Sequence, residues 1–174
     1  MKKILCLSCI LFFCGHVFSQ EAKPCPGVLI NGVCWAKSNV DKPGIFASTP
    51  EAWGMLYQWN RKKAWQHNTD TTGWDDTDAG GEYWDASNDP CPYGWRVPTQ
   101  EELNSIKGCN VREEHVWKIT DPATGKSMII PYTPTREYYG TYHGLFAWFY
   151  WVNSAYDNDE AFAATTVPYI RATT

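Results

Sequence analysis

The spacing of apolar and polar positions changes several times along the chain. After Lys2 and Lys3, a mostly apolar run covers Ile4 to Phe13. Further on, Val28-Leu29-Ile30 and Val33-Cys34-Trp35 flank Asn31-Gly32. Both turn residues tolerate positive φ, so the pattern predicts two strands joined by a type I′ hairpin. Lys42-Pro43-Gly44 marks another turn. Thr49-Pro50-Glu51 reads as a helix start, with Thr49 as cap, Pro50 at the first helical position and Glu51 complementing the dipole. Trp53, Leu56 and Tyr57 follow at i, i+3, i+4 and define one apolar face. Gly54 weakens that helix, and Arg61-Lys62-Lys63 ends it.

Residues 66–90 have no periodicity. Asp, Thr, Gly and Asn dominate, with Trp74, Tyr83 and Trp84 interspersed. So long an irregular stretch is uncommon in a compact domain; it binds something or is anchored by its aromatics. A second helix is sharply signalled. Thr99-Gln100-Glu101-Glu102 is a capping box, Leu103 and Ile106 supply its buried side, and Gly108 stops it. Val116–Thr120 and Ser127–Tyr132 read as strands around the turn-rich loop Asp121–Lys126. Phe146–Val152 is an aromatic strand, and Ala161–Thr166 and Tyr169–Ala172 are two more. Two early helices followed by short strands indicate an α+β fold. There is no repeat, low-complexity tract or long linker.

The first 19 residues have the form of a signal peptide. The Lys pair is its n-region, and the apolar run is too short to span a bilayer. Val17 and Ser19 stand at −3 and −1 of a cleavage before Gln20. Cys14 follows Phe13, and Cys9 follows a very short apolar run, so both are poor lipoprotein acceptors. The expected product is a soluble domain, residues 20–174, secreted or held in the periplasm or at the cell surface, and not membrane-spanning. Cleavage removes two lysines, leaving 13 basic against 19 acidic residues and a charge of −6 instead of −4. No cationic footprint for nucleic acid exists.

Cleavage also removes Cys6, Cys9 and Cys14. An even set remains, Cys25, Cys34, Cys91 and Cys109, which in an exported chain favours disulfides. Proximity favours Cys25–Cys34 and Cys91–Cys109 among three possible connectivities. A zinc site is the rival, but there is no CxxC pair, and His67, His115 and His143 are scattered.

The segment Asp89-Pro90-Cys91-Pro92-Tyr93-Gly94-Trp95-Arg96-Val97-Pro98-Thr99-Gln100-Glu101-Glu102-Leu103 resembles the DPCPxGWRVPTxxEL signature of the Fibrobacter succinogenes major paralogous domain, common in Bacteroidota. Asn31-Gly32-Val33-Cys34-Trp35-Ala36 with Asn39-Val40 is similar to that family's opening motif. Pro43-Gly44, Pro50-Glu51 and Gly54–Arg61 are similar to its first helix. Tyr150-Trp151 through Ser154 resembles its late strand, and Ile170-Arg171-Ala172 its closing motif. The resemblance spans nearly the whole mature chain. It implies a C-type-lectin-like domain with two helices, a small twisted, mostly antiparallel sheet and long loops, a fold shared with formylglycine-generating enzymes. Fold alone carries no activity. The family's closing cysteine is Ala172 here, so a family-like disulfide to Cys91 cannot form, which favours Cys109 as its partner.

Ten Trp and ten Tyr are the outlying composition. Aromatic faces stack on sugars and also fill small cores. Trp35, Trp59, Trp95 and Trp151 stand at family-matched positions and read as core; Trp65, Trp74, Trp84 and Trp148 read as more exposed. Arg96 reads as a structural partner for a carboxylate or carbonyls, and Arg171 similarly. In an alternating late strand, Trp148 and Tyr150 point outward if Trp151 points inward. The expected ligand face is therefore Trp148, Tyr150, Asn153, Tyr156 and Asp157, joined by Trp74 and Trp84. The acidic runs Asp75, Asp76, Asp78 and Asp157–Glu160 have calcium-binding chemistry but match no EF-hand loop, and most such runs are simply solvated. No cofactor is expected, with calcium on these acidic runs as the alternative. No nucleophile with a base stands out, and no cysteine follows Cys109, unlike in the formylglycine-generating enzymes. The expected function is a non-enzymatic binding module for a glycan or a cell-surface protein; the alternative is a structural or adhesin-like envelope subunit.

Overall fold

In the computed structural model the described residues are 24–77, 79–137, 140–147, 150–154 and 170–171, with backbone alone for 143–147 and 170–171. They form short strands and, among the described residues, one α-helix. In chain order the elements are β1 (Val28–Ile30), β2 (Val33–Trp35), β3 (Val40–Lys42), β4 (Ile45–Phe46), β5 (Leu56–Tyr57), β6 (Ala64–Trp65), β7 (Trp95–Arg96), α1 (Gln100–Ser105), β8 (Asn110–Arg112), β9 (Val116–Thr120), β10 (Ser127–Pro131), β11 (Thr133–Arg136), β12 (Tyr142–Ala147) and β13 (Ile170–Arg171). The class is α+β with small antiparallel sheets.

The Asn-Gly hairpin forms as its turn chemistry requires. Asn31 has φ 48° and Gly32 φ 78°, and Ile30 lies opposite Val33. Asn31 also ties the hairpin to the rest of the domain. Its amide N–H donates to Asp121 Oδ2 at 2.8 Å and its side-chain amide to Ser105 O at 2.8 Å. Asp121 in turn accepts from Ala123 and Thr124, closing the β9–β10 loop.

The four-stranded sheet has the order β1-β2-β13-β7. Ile170 stands opposite both Trp35 and Arg96, so the last strand joins the first hairpin to the middle of the chain. Below it, Val28, Ile30, Trp35, Ile106, Ile119, Met128 and Ile130 form an aliphatic core. A second, aromatic cluster gathers Val40, Tyr57, Trp84 and Val97, with Trp59, Trp95 and Trp151 against them.

The signature segment accounts for itself residue by residue. The Asp89 carboxylate accepts from Cys91 N and Val97 N, folding the segment back on itself. Pro92 O accepts from Trp95 N across a turn where Gly94 has φ 80°. Trp95 meets Phe46 edge-on at 5.3 Å. Arg96 forks onto both Glu102 oxygens, at 2.8 and 3.1 Å, and onto Val97 O. Glu102 also accepts from Thr99 N while Thr99 Oγ1 accepts from Glu102 N, so the capping box is complete and its carboxylate is held by an arginine.

Other expectations are corrected. No helix follows Thr49. Ala52 N donates to Thr49 O in a turn, and β5 runs through Leu56–Tyr57. Gly54, at φ 70°, lies so close to β3 that an added Cβ would stand 2.3 Å from Val40 O. Leu56 and Tyr57 are both fully buried because this strand is covered on both faces. Of the expected strand Phe146–Val152, Phe146 and Ala147 lie in β12 and Trp151 and Val152 lie in no strand; Trp148 and Phe149 lie outside the described residues, as do Ala161–Thr166. The strand expected around Tyr169–Ala172 is present as Ile170–Arg171.

Cys25 and Cys34 form the expected disulfide, with Cα atoms 5.6 Å apart. Cys91 and Cys109 are free. Cys91 packs on the aromatic cluster and Cys109 on the aliphatic one, so the proposed bridge between them has no geometry to form in. Burial, reinforced by the Asp89 charge, pushes the Cys91 thiol up, which disfavours the thiolate.

Two outcomes follow. Thr99→Ala, which removes one half of the box, lowers stability by about 1 kcal/mol in a urea titration; an unmoved midpoint contradicts the cap. Non-reducing peptide mapping of the oxidised protein finds the Cys25–Cys34 bridge, worth about 2–3 kcal/mol, with Cys91 and Cys109 alkylated as free thiols. A Cys91–Cys109 peptide contradicts this arrangement.

Candidate functional site

The β5–β6 hairpin is the anchor of the long irregular segment. Two strands of two residues leave Gln58 to Lys63 as a polar loop, with Asn60 at φ 50°. The side chains of that loop reach outward to backbone groups of residues 73–88. Gln58 Nε2 donates to Asp75 O at 2.5 Å, and Gln58 Oε1 accepts from Trp65 Nε1. Asn60 Oδ1 accepts from Asp85 N at 2.8 Å. Arg61 pairs with Asp75 Oδ2 at 2.5 Å and donates to Thr77 O and Oγ1. Lys63 donates to Gly73 O while its ammonium lies 3.9 Å from the centre of the Trp65 ring.

Arg136 holds the other side of the segment. It is fully buried, on the strand β11. Its guanidinium donates to the carbonyls of Gly140, Gln66, Asn68 and Asp70. Its face lies 5.5 Å from the Trp74 ring. Burial alone holds this guanidinium below its ordinary value, with the Asp70 charge working the other way. A planar fork with several donors is the one side chain that can gather carbonyls in this way. His67 is part of the same arrangement. Its Nε2 contacts Gly54 O at 2.6 Å, its ring meets Trp53 edge-on at 5.4 Å, and burial holds the imidazole below its usual range.

The loop carboxylates are used by the loop itself. Asp70 accepts from Thr72 N, Asp75 from the hydroxyl and N–H of Thr77, and Asp85 from Ser87. These bonds hold all three carboxyls below the usual carboxylate range. Asp75 is thus engaged by Arg61 and Thr77. Asp78 and the run 157–160 lie outside the described residues. No group of three metal-ligating side chains occurs among the described residues, and no described helix is long and apolar enough to cross a membrane.

The expected ligand-face residues that are described, Trp74, Trp84, Tyr150 and Asn153, are not gathered into one exposed face. Trp84 is buried, 8% exposed, against Trp59 and Trp151. Trp74 is half-buried, 4.8 Å from Trp65. Trp65 itself is buried. Tyr150 is half-buried against the aliphatic core and donates to Pro131 O at 2.6 Å. Trp151 donates to Tyr57 O, and Val152 is buried as well, so the three neighbours do not alternate between core and solvent. Asn153 is held by its backbone, which donates to Pro98 O and accepts from Trp84 N. Trp148, Tyr156 and Asp157 lie outside the described residues.

Among the described residues, other aromatics reach solvent. Tyr83 is 66% exposed at an isolated pairing with Ser154, and Trp53 is 37% exposed. Tyr93 is wholly exposed at the tip of the signature loop, and Ile45 is exposed at the start of β4, next to the β3–β4 turn. Gly44 N donates to Pro90 O and ties those two tips together. Sequence reasoning placed Tyr93 inside the signature without assigning it a role. Its position between Pro92 and Gly94, both turn formers, was the signal that its side chain has nothing to pack on.

Comparison with protein-family models, curated proteins and solved structures finds no match to this chain.

The buried imidazole gives a prediction with a definite sign. Its folded pKa is lowered, so the unfolded chain binds the proton more readily and stability falls as pH drops below the ordinary histidine range near ~6.5. Urea midpoints measured between pH 7.5 and 5 therefore decline for the native protein and decline less for His67→Gln. Identical slopes for the two proteins contradict the assignment.

Proposed function

We propose that this chain is an exported, non-enzymatic binding module of the Fibrobacter succinogenes major paralogous kind, with a C-type-lectin-like architecture, that recognises a glycan or a cell-surface protein. The observation that carries the reading is where the resembling segments lie. The opening segment supplies β2, the signature supplies β7, and the closing segment supplies β13 between them. The late segment joins the same assembly through Trp151 to Tyr57 O and Asn153 to Pro98 O. Segments far apart in sequence that resemble one family and pair with one another support a shared fold, because pairing is what such motifs would encode.

The binding role is supported by the braced loop surface. Loops held rigidly by a scaffold are where recognition residues sit. Tyr83 and Trp53 offer aromatic faces on such loops, and aromatic faces with a polar edge are suited to sugar rings. A second reading, an adhesin-like subunit assembling with another envelope protein, is favoured by one specific feature: the joined tips bearing Tyr93 and Ile45, an apolar pair in solvent.

A glycan array probed with the cleaved domain, with calcium and with chelator, separates the readings. The leading one predicts binding to at least one glycan class, lost in Tyr83→Ala at an unchanged urea midpoint. Absence of glycan binding, together with binding to envelope protein that Tyr93→Ala abolishes, favours the second. Intact mass of the exported protein beginning at Gln20 supports export; an acylated Cys9 or Cys14, or a retained leader, contradicts it.

A further inference from the structure

We infer that the edge of β10 that is open among the described residues is a docking groove for an extended peptide segment of a partner protein, bound as an added strand. The sheet order is β10-β9-β8, so among the described residues β10 has a neighbour on one side only. The register fixes which groups point away from β9. Tyr132 N donates to His115 O, and Asp121 N to Lys126 O. In an antiparallel ladder these bonds alternate, so Met128 and Ile130 bond inward with Ile119 and Trp117, while the main-chain groups of Ser127 and Ile129 face the open edge.

That edge is not a bare strand in solvent. A groove of about 310 Å³ runs beside it, lined by Val28, Lys37, Pro50, Glu51 and Ser127 to Ile129. This is at the lower end of the ~300–1,000 Å³ typical of ligand sites. Its floor is apolar, from Val28 and the buried Met128. Two exposed charges of opposite sign, Lys37 and Glu51, stand on its wall, and the two form no ion pair with each other. The far end of β10 is closed by Pro131, which has no N–H to give and whose carbonyl is taken by the Tyr150 hydroxyl.

Open main-chain donors and acceptors, an apolar floor and a charge of each sign together select an occupant. An extended peptide pairs with Ser127 and Ile129, places alternate apolar side chains over Val28 and Met128, and offers an acidic group to Lys37 and a basic one to Glu51. This is recognition by strand addition, in which the backbone supplies affinity and alternate side chains supply choice. The lining includes neither Tyr83 nor Trp53, although Glu51 shares a loop with Trp53, and the test reads peptide N-methylation and Lys37, so the inference stands even if no glycan is bound.

A phage-displayed library of random decapeptides, panned on the oxidised domain, tests it. Enriched sequences should alternate apolar and polar positions and carry an acidic and a basic residue. The best enriched peptide, made synthetically, should lose at least ~10-fold in affinity when N-methylated at alternate amides, and lose little when the intervening amides are methylated. Lys37→Glu should weaken it about 5-fold, with recovery when the peptide's acidic residue becomes Lys. No enrichment overturns the inference. So does a peptide indifferent both to N-methylation and to Lys37→Glu, because it binds elsewhere. Self-association of the domain, lost in Lys37→Glu, assigns the groove to a second copy of the chain and overturns the partner peptide.

Discussion

A chain with so little regular structure depends on one constraint: every buried main-chain N–H and C=O must still find a partner. Here side chains supply the partners. Arg136 gathers four carbonyls from residues 66–70 and 140, and Gln58, Asn60, Arg61 and Lys63 take backbone groups of residues 73–85 from the opposite side. A side chain without the fork at position 136 would leave the buried Gly140 carbonyl unpaired, at about 1–3 kcal/mol, and would release the partly buried carbonyls of Gln66, Asn68 and Asp70 to water. The loop is therefore part of the folded unit, with Trp74 and Trp84 packed inward and Tyr83 left in solvent.

The same logic governs the signature segment. Asp89, Arg96 and Glu102 are polar, yet each is spent on fixing backbone: Asp89 on Cys91 and Val97, Glu102 on Thr99, and Arg96 on Glu102 and Val97. Charged residues in a conspicuous motif invite a catalytic reading, but these face one another and the chain. Among the described residues, Tyr83, Trp53 and Tyr93 stay in solvent, and β10 has a strand neighbour on one side only.

The parts of this architecture that were legible in the sequence are those whose chemistry is local. Asn31-Gly32 demands a turn that accepts positive φ at two successive residues, and Thr99 with Glu102 completes a box within four residues. Strand pairs around Asp121–Lys126 were equally plain, since the loop composition and the flanking apolar runs agree. The Thr49 helix failed because Thr-Pro-Glu also begins a turn, and the close approach of Gly54 to Val40 O, a contact 14 residues away in sequence, decided the matter. Trp74 and Trp84 misled for a related reason. They stand in a polar, aperiodic segment, and nothing near them in sequence reveals that Arg136, Trp59 and Trp151 arrive from elsewhere to cover them. Tertiary partners, not local pattern, determine which aromatics of such a loop face water.

The central claim is that residues 66–88 are ordered from both sides by side-chain bonds to their backbone, with Arg136 as the largest single contributor. Amide hydrogen exchange on the native protein and on Arg136→Lys tests it most directly. The account predicts protected amides at Thr72, Trp74, Thr77, Trp84 and Asp85 in the native protein, each of which donates within this network. In the lysine variant, which keeps the charge but loses the fork, protection at Thr72 and Trp74 should collapse while that of the β9–β10 pair persists. Fast exchange throughout 66–88 in the native protein, or a lysine variant with unchanged protection, would contradict it.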